Sequence, residues 1–166
     1  MTQHALKMEP HPETPETGIS GDQAVASALM GALGDSLVLL YKTQGYHWNV
    51  IGPLFQPIHE LTERQYAALF AAVDKLAERI RALGHIAPFS MADMISHAQL
   101  SEEDTARNAQ GMVEQLASDN ETLVRRLLET AAIAAEHGDG ATEDLMNARM
   151  ADHEEAIWML RAIAST

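Results

Sequence analysis

Apolar residues recur every three or four positions through four long stretches of this 166-residue chain. That spacing returns side chains to one face of an α-helix, whereas a strand alternates every second residue. The stretch after Asp22 carries this apolar stripe: Val25, Leu29, Leu33, Leu37 and Leu40. No stretch alternates convincingly as a strand would, so the pattern predicts an all-α protein built as a four-helix bundle.

Capping and helix-breaking residues set the expected bounds of the first two helices. Asp22 is expected to cap a first helix that runs to about His47, because a side-chain oxygen can accept from a free backbone N–H there. Gly52-Pro53 marks a turn. A second helix is expected from near Phe55 to Gly84, where glycine provides a stop.

The connection after the second helix is long, and it is expected to contain a short helix capped by Ser90. Ser101 and Asp104 resemble a capping box, which predicts a third long helix from Ser101 to about His137. Gly138-Asp139-Gly140 is expected to break this helix. A fourth long helix is expected to begin at Thr142 and to reach almost to the end of the chain.

Residues 1–21 differ in composition from the rest of the chain, with three prolines and few apolar residues. They are predicted to form a disordered arm, and residues 22–166 a single bundle domain. The arm lacks the apolar centre of a secretory signal, and no apolar run approaches the roughly 18 residues of a membrane span. The sequence therefore favours a cytoplasmic protein without membrane contact, with association with the nucleoid as an alternative.

The composition limits the chemistry of any metal site. The chain has no cysteine, so a disulfide framework and thiolate metal sites are excluded. The remaining metal ligands are His, Asp and Glu, which suit iron, manganese or zinc. The formal net charge of -13 attracts cations and repels nucleic acid, although acidity of this kind also serves solubility alone.

Two ligand pairs lie in the second helix, His59-x3-Glu63 and Asp74-x3-Glu78. At about 100° per residue, all four side chains fall within one arc of roughly 100°. His59 and Glu78 are nevertheless about 28 Å apart along a helix, and Glu63 and Asp74 about 16 Å. Because metal–ligand bonds are about 2 Å long, no single ion can join the two pairs within one chain.

The spacing of these ligands is mirror-symmetric. The midpoint of positions 59 and 78 is 68.5, and so is the midpoint of positions 63 and 74. Two copies of the helix, packed antiparallel across a two-fold axis near Leu69, would place His59 opposite Glu78 and Glu63 opposite Asp74. His47, at the end of the first helix, would add another nitrogen ligand. The alternative is an ordinary solvated helix face, with His47 a hydrogen-bonded helix-end residue.

The same region resembles the signature of the Dps mini-ferritin family. The matching residues are His47-Trp48-Asn49-Val50, Gly52-Pro53, Phe55, His59, Glu63, Asp74, Ala77-Glu78-Arg79-Ile80 and Leu83-Gly84, and near the end Asp152-His153-Glu154 and Ile157-Trp158-Met159-Leu160-Arg161. The resemblance extends from Asp22 onward. It departs at Glu63, where the family usually has Asp, so the carboxylate is kept with one extra methylene.

The resemblance implies a ferritin-like bundle assembled as a hollow homododecamer that oxidises Fe(II), typically with hydrogen peroxide, and stores ferric mineral. It implies ferroxidase sites at dimer interfaces, with His47, His59 and Glu63 from one subunit and Asp74 and Glu78 from its two-fold mate. Zinc is expected to compete at these ligands. Trp48 resembles the family's aromatic neighbour, which takes up stray radical equivalents, with interface packing as the alternative.

Two further properties of the family concern this chain. An acidic iron-entry pore near the start of the last helix would use Asp139, Glu143 and Asp144, and the alternative is an acidic first turn favoured by the helix dipole. Many members bind DNA through a lysine-rich arm, but residues 1–21 contain one Lys and three Glu. DNA binding is therefore expected to be weak or absent.

The competing functions are a nucleoid-binding structural protein and a metal-buffering bundle without redox turnover. A conventional di-iron ferritin is disfavoured, because its Glu-x-x-His motif does not occur in this sequence.

Overall fold

A computed structural model describes residues 16–19, 21–102 and 107–165. In this part of the chain there are five helices and no strand: α1 (Gln23–Asn49), α2 (Phe55–Ala82), α3 (Met91–Ser96), α4 (Ala109–Glu136) and α5 (Gly140–Ala164). The all-α four-helix bundle with a short helix in the second connection is thereby confirmed. Most of the predicted arm, residues 1–21, lies outside the described residues, and its disorder stays a prediction.

Capping residues and glycines are found where they were predicted at four helix ends. Asp22 accepts a hydrogen bond from the backbone N–H of Ala24 at 2.7 Å and caps α1, and the hydroxyl of Ser90 caps α3. After α2 and α4 the chain turns at Gly84 (φ +83°) and Gly138 (φ +69°). These left-handed conformations favour glycine because a Cβ would be strained there.

The predicted starts of the last two long helices were wrong. Helix α4 begins at Ala109 rather than Ser101, because Asn108 is the N-cap and accepts from the N–H of Gly111 at 2.8 Å. Ser101 is not helical, and Asp104 of the expected capping box lies outside the described residues. Helix α5 begins at Gly140, two residues before Thr142, because Asp139 is its N-cap.

The core lies between two packed pairs, α1 with α2 and α4 with α5, which are joined by contacts between α1 and α4. Its fully buried side chains include Leu29, Leu76, Leu116 and Met146. Contrary to the sequence expectation, α1 is long and apolar enough to qualify as a membrane span by length and composition. Because 67% of that apolar window is buried inside the bundle, α1 has the environment of a core helix.

The long connection is fixed to the bundle by the buried carboxylate of Asp35. One of its oxygens accepts from the backbone N–H groups of Gln99 and Leu100 at 2.6 and 2.8 Å, and the other is 2.6 Å from the guanidinium of Arg126. Gly31 leaves room for that guanidinium, since a Cβ there would lie 1.9 Å from it. The connection therefore has a fixed attachment to α1, on which His47 also lies.

Candidate metal centre

His47 and His59 lie next to each other, although twelve positions separate them in sequence. His47 is near the end of α1 and His59 near the start of α2, and the short turn between the helices brings them together. Their imidazole rings are stacked, with centroids 3.8 Å apart and planes 15° apart. His47 is buried at 7% exposure, whereas His59 is partly exposed, so the pair opens to the surface on the α2 side.

Each of these rings is held by the backbone of the other residue. Nδ1 of His47 lies 2.9 Å from the carbonyl oxygen of His59, and Nδ1 of His59 lies 2.9 Å from the carbonyl oxygen of His47. A carbonyl oxygen can only accept, so both Nδ1 atoms donate. In the neutral rings, each Nε2 then keeps its lone pair for a metal ion, as in metal sites where the second ring nitrogen is bonded to a carbonyl.

Neighbouring side chains restrict the movement of the stacked rings. Phe55 stacks on His59 with ring centroids 5.0 Å apart, and Tyr66 meets His47 edge-on at 5.2 Å. The hydroxyl of buried Thr62 is 3.3 Å from Nδ1 of His47 and donates to the carbonyl of Ile58 at 2.7 Å. The roles of Thr62 and Tyr66 were missed at the sequence level, because neither residue type is a preferred metal ligand.

The stacking restricts how the two histidines can bind metal. The lone pair of each Nε2 lies in its own ring plane, and the planes are stacked and nearly parallel. One ion about 2 Å from both nitrogens cannot lie in both planes. In this arrangement, His47 and His59 can therefore each bind a separate ion but cannot share one.

The three carboxylates of the predicted set lie on the exposed face of α2. Glu63, Asp74 and Glu78 are all exposed, and α2 is unbroken between them. The pairs at the two ends of the face are therefore as far apart as the helical rise requires. In the described residues, no group of three or more His, Cys, Asp or Glu side chains is arranged to hold a metal ion.

Trp48 lies beside the histidine pair in sequence but points away from the core. Its side chain is 61% exposed, and its indole meets the ring of Tyr41 edge-on with centroids 6.4 Å apart. The catalytic role of Trp48, with interface packing as its alternative, stays a prediction.

The three acidic residues assigned to an iron-entry pore differ in environment. Asp139 is fully buried; its carboxylate accepts from Arg79 at 2.6 Å and from the N–H and hydroxyl of Thr142 at 3.0 and 2.5 Å. Burial raises the pKa of Asp139, but these hydrogen bonds outweigh it and hold the pKa below the ordinary value. Asp139 thus caps α5 within the subunit, whereas Glu143 is partly exposed and Asp144 exposed.

Comparisons with known proteins agree with this architecture. A ferritin family model, described as a ferritin-like domain, matches residues 26–166. A low temperature-induced protein of Nostoc is 39% identical over 142 residues, which are 84% of this chain and 79% of the relative. A DNA protection during starvation protein from Brevibacillus brevis is 34% identical over 140 residues, 84% of this chain and 94% of the relative.

A solved structure has a similar fold. The Dps protein from Vibrio cholerae superposes with a TM-score of 0.81 at 30% identity, covering 86% of this chain and 89% of that chain. That protein is described as a member of a broad superfamily of ferritin-like diiron-carboxylate proteins.

Proposed function

This chain belongs to the Dps mini-ferritin family, and from that premise we propose that it is a ferroxidase and iron store. It oxidises Fe(II) with hydrogen peroxide at sites shared between two subunits. The ferric product is kept as mineral inside a hollow homododecamer. The observation that supports this most directly is the reciprocally bonded pair of His47 and His59, whose Nε2 atoms are left for metal at one end of a face of carboxylates.

Each proposed site draws on two subunits. His47, His59 and Glu63 come from one subunit, and Asp74 and Glu78 come from its two-fold mate. Imidazole and carboxylate ligands suit Fe(II), and the carboxylates stabilise the ferric product better than imidazole does. Zn(II) competes at the same ligands. Glu63 reaches one methylene further than the family's usual Asp, which shifts its oxygens relative to His59.

The chemistry consumes both reagents that generate hydroxyl radicals. Two Fe(II) ions supply the two electrons that, together with two protons from the solvent, reduce one hydrogen peroxide molecule to two water molecules, leaving two Fe(III) ions. A site that holds two ions therefore avoids a one-electron reduction. The near-parallel rings of His47 and His59 fit such a two-ion site. Trp48 takes up the oxidising equivalent that remains when only one ion is bound.

Iron enters this shell near the start of α5, where Glu143 and Asp144 present their carboxylates. Asp139 is excluded from direct contact with iron in this proposal, because its carboxylate is buried and bonded to Arg79 and Thr142.

The test of the function is anaerobic loading with Fe(II) followed by hydrogen peroxide. We expect a fast rise in ferric absorbance, iron that co-elutes with a shell of about twelve chains, and a slower reaction after preloading with Zn(II). A protein that binds Fe(II) but gives no absorbance change and retains no iron core would instead be a redox-silent metal buffer.

A second candidate function, direct DNA binding, is favoured by the names of relatives such as the Brevibacillus brevis protein. The charge of this chain opposes it, because a net charge of -13 repels phosphates and residues 1–21 contain a single lysine. We expect no gel shift of linear DNA at about 150 mM salt and neutral pH, where a protein with few phosphate contacts binds poorly. Retarded DNA under those conditions would support the nucleoid-binding function.

A further inference from the structure

Phe70 is a large apolar side chain in the middle of the ligand face of α2. It is 71% exposed in the subunit, although the opposite face of the helix is buried in the core. Exposed aromatic rings of this size are typical anchors of protein interfaces. Its immediate neighbours on the face, Ala67 and Ala71, are also exposed and carry only a methyl group each.

The mirror symmetry of the ligands also relates Phe70 to Ala67. Positions 67 and 70 share the midpoint 68.5 with positions 59 and 78 and with positions 63 and 74. At about 100° per residue, Phe70 and Ala67 lie on either side of the centre of the ligand arc. Antiparallel pairing about that midpoint therefore sets each large ring against a small residue of the other copy.

We propose that Phe70 of each subunit packs into the hollow formed by Ala67 and Ala71 of a second copy, and so fixes the register of the two α2 helices. The inference rests on the proposed function, because the occupant of this face is the copy that completes the metal site. Phe70 is a positioning residue that touches no metal. The small alanines let the helices approach to the 8–10 Å at which helices usually pack.

Register matters here because ligand geometry has little tolerance. A slip of one residue moves a side chain about 1.5 Å along the helix and 100° around it. Metal–ligand distances hold within about 0.2 Å. A dimer without a fixed register would therefore not keep His59 beside the Glu78 of a second copy.

The test uses Co(II) as a redox-silent probe on the full chain, together with sedimentation of the metal-free protein. Phe70→Ala is expected to weaken both self-association across this face and Co(II) binding by about 30-fold, the effect of removing an interface anchor. The matched control is Phe89→Ala, since Phe89 is 72% exposed but lies outside α2, and it is expected to behave as the unmodified protein. Because Phe70 is exposed in the subunit, its loss removes no core packing.

The decisive variant exchanges the large and small residues. Ala67→Phe combined with Phe70→Ala keeps the pairing of a ring with a methyl group across the axis, although Tyr66 then takes the place of Ala71 beside the ring. Part of the association and of the Co(II) affinity lost in Phe70→Ala is therefore expected to return. Unchanged behaviour of Phe70→Ala, or failure of the exchange to restore both readouts, overturns the inference. If the unmodified protein binds no Co(II) while the exchange still restores association, the proposed metal site fails and the role of Phe70 stands.

Discussion

Two inactive variants are expected to regain about a quarter of the full Fe(II) oxidation rate when they assemble together. The first is His47→Gln with His59→Gln, and the second is Asp74→Asn with Glu78→Gln. Each alone should be at least about 100-fold slower, since even outer-shell changes at metal sites cost 10–100-fold. The reason for rescue is that each site takes its histidines from one subunit and two of its carboxylates from the other.

The expected fraction follows from random pairing. Equal expression makes half of the dimers mixed. In a mixed dimer, one site keeps all its ligands, and the other has lost all four of the ligands that the two variants replace. About a quarter of all sites are then intact. The measurement is initial ferric absorbance after adding hydrogen peroxide to Fe(II)-loaded, co-expressed shells that carry a different tag on each variant.

The controls separate site sharing from general damage. Glu129 is exposed on α4 and lies outside the proposed site, so Glu129→Gln should retain full activity. Co-expression of two differently tagged copies of the histidine variant should restore no Fe(II) oxidation. If mixed shells of the two different variants stayed as inactive as either parent, the sites would lie within single subunits, contrary to the proposal.

The second large effect is a pH dependence of stability that arises from His153. This residue is 3% exposed on α5; its Nδ1 is 2.7 Å from the side-chain oxygen of Asn120, and its Nε2 is 3.1 Å from the guanidinium of Arg149. Burial, and next the charge of Arg149, lower the pKa of His153 to about 3 from the ordinary 6.5. The ring is therefore neutral in the folded subunit, donating to Asn120 and accepting from Arg149.

A depressed folded-state pKa means that the unfolded chain binds the proton first as the pH falls. The contribution of His153 is fully present above pH 6.5 and is lost progressively between pH 6.5 and about 3. Between pH 7 and 5 we expect a loss of about 2 kcal/mol in the free energy of unfolding. Asp139, whose pKa is also lowered, affects the pH dependence of stability only at pH values below this window.

Urea denaturation at pH 7 and at pH 5 measures this loss. His153→Gln should be less stable at both pH values, because a buried network is disturbed, but its stability should change much less between them. His97→Gln is the matched control, since His97 is about one-third exposed and its substitution should leave the pH dependence intact. An equally steep pH dependence in His153→Gln would assign the effect to another group.

The sequence predicted the number of long helices, the short helix, the caps at Asp22 and Ser90, and the glycine stops, because these signals are local. It failed at the start of α4. Ser101 and Asp104 have the spacing of a capping box, but the cap is Asn108, and the backbone N–H of Leu100, just before Ser101, donates to the carboxylate of Asp35. That bond joins residues 65 positions apart, and no local pattern reports it.

The mirrored ligand spacing on α2 was determined by the sequence alone, because helical periodicity fixes which positions share a face. Only the tertiary structure decided which contacts and hydrogen bonds the candidate ligands make. It brought His47 onto His59, bonded each ring to the other's carbonyl, and placed Asp139 in a buried cap rather than at the surface. Such contacts depend on how helices meet, and the geometry of a hydrogen bond between two elements is not encoded within either element.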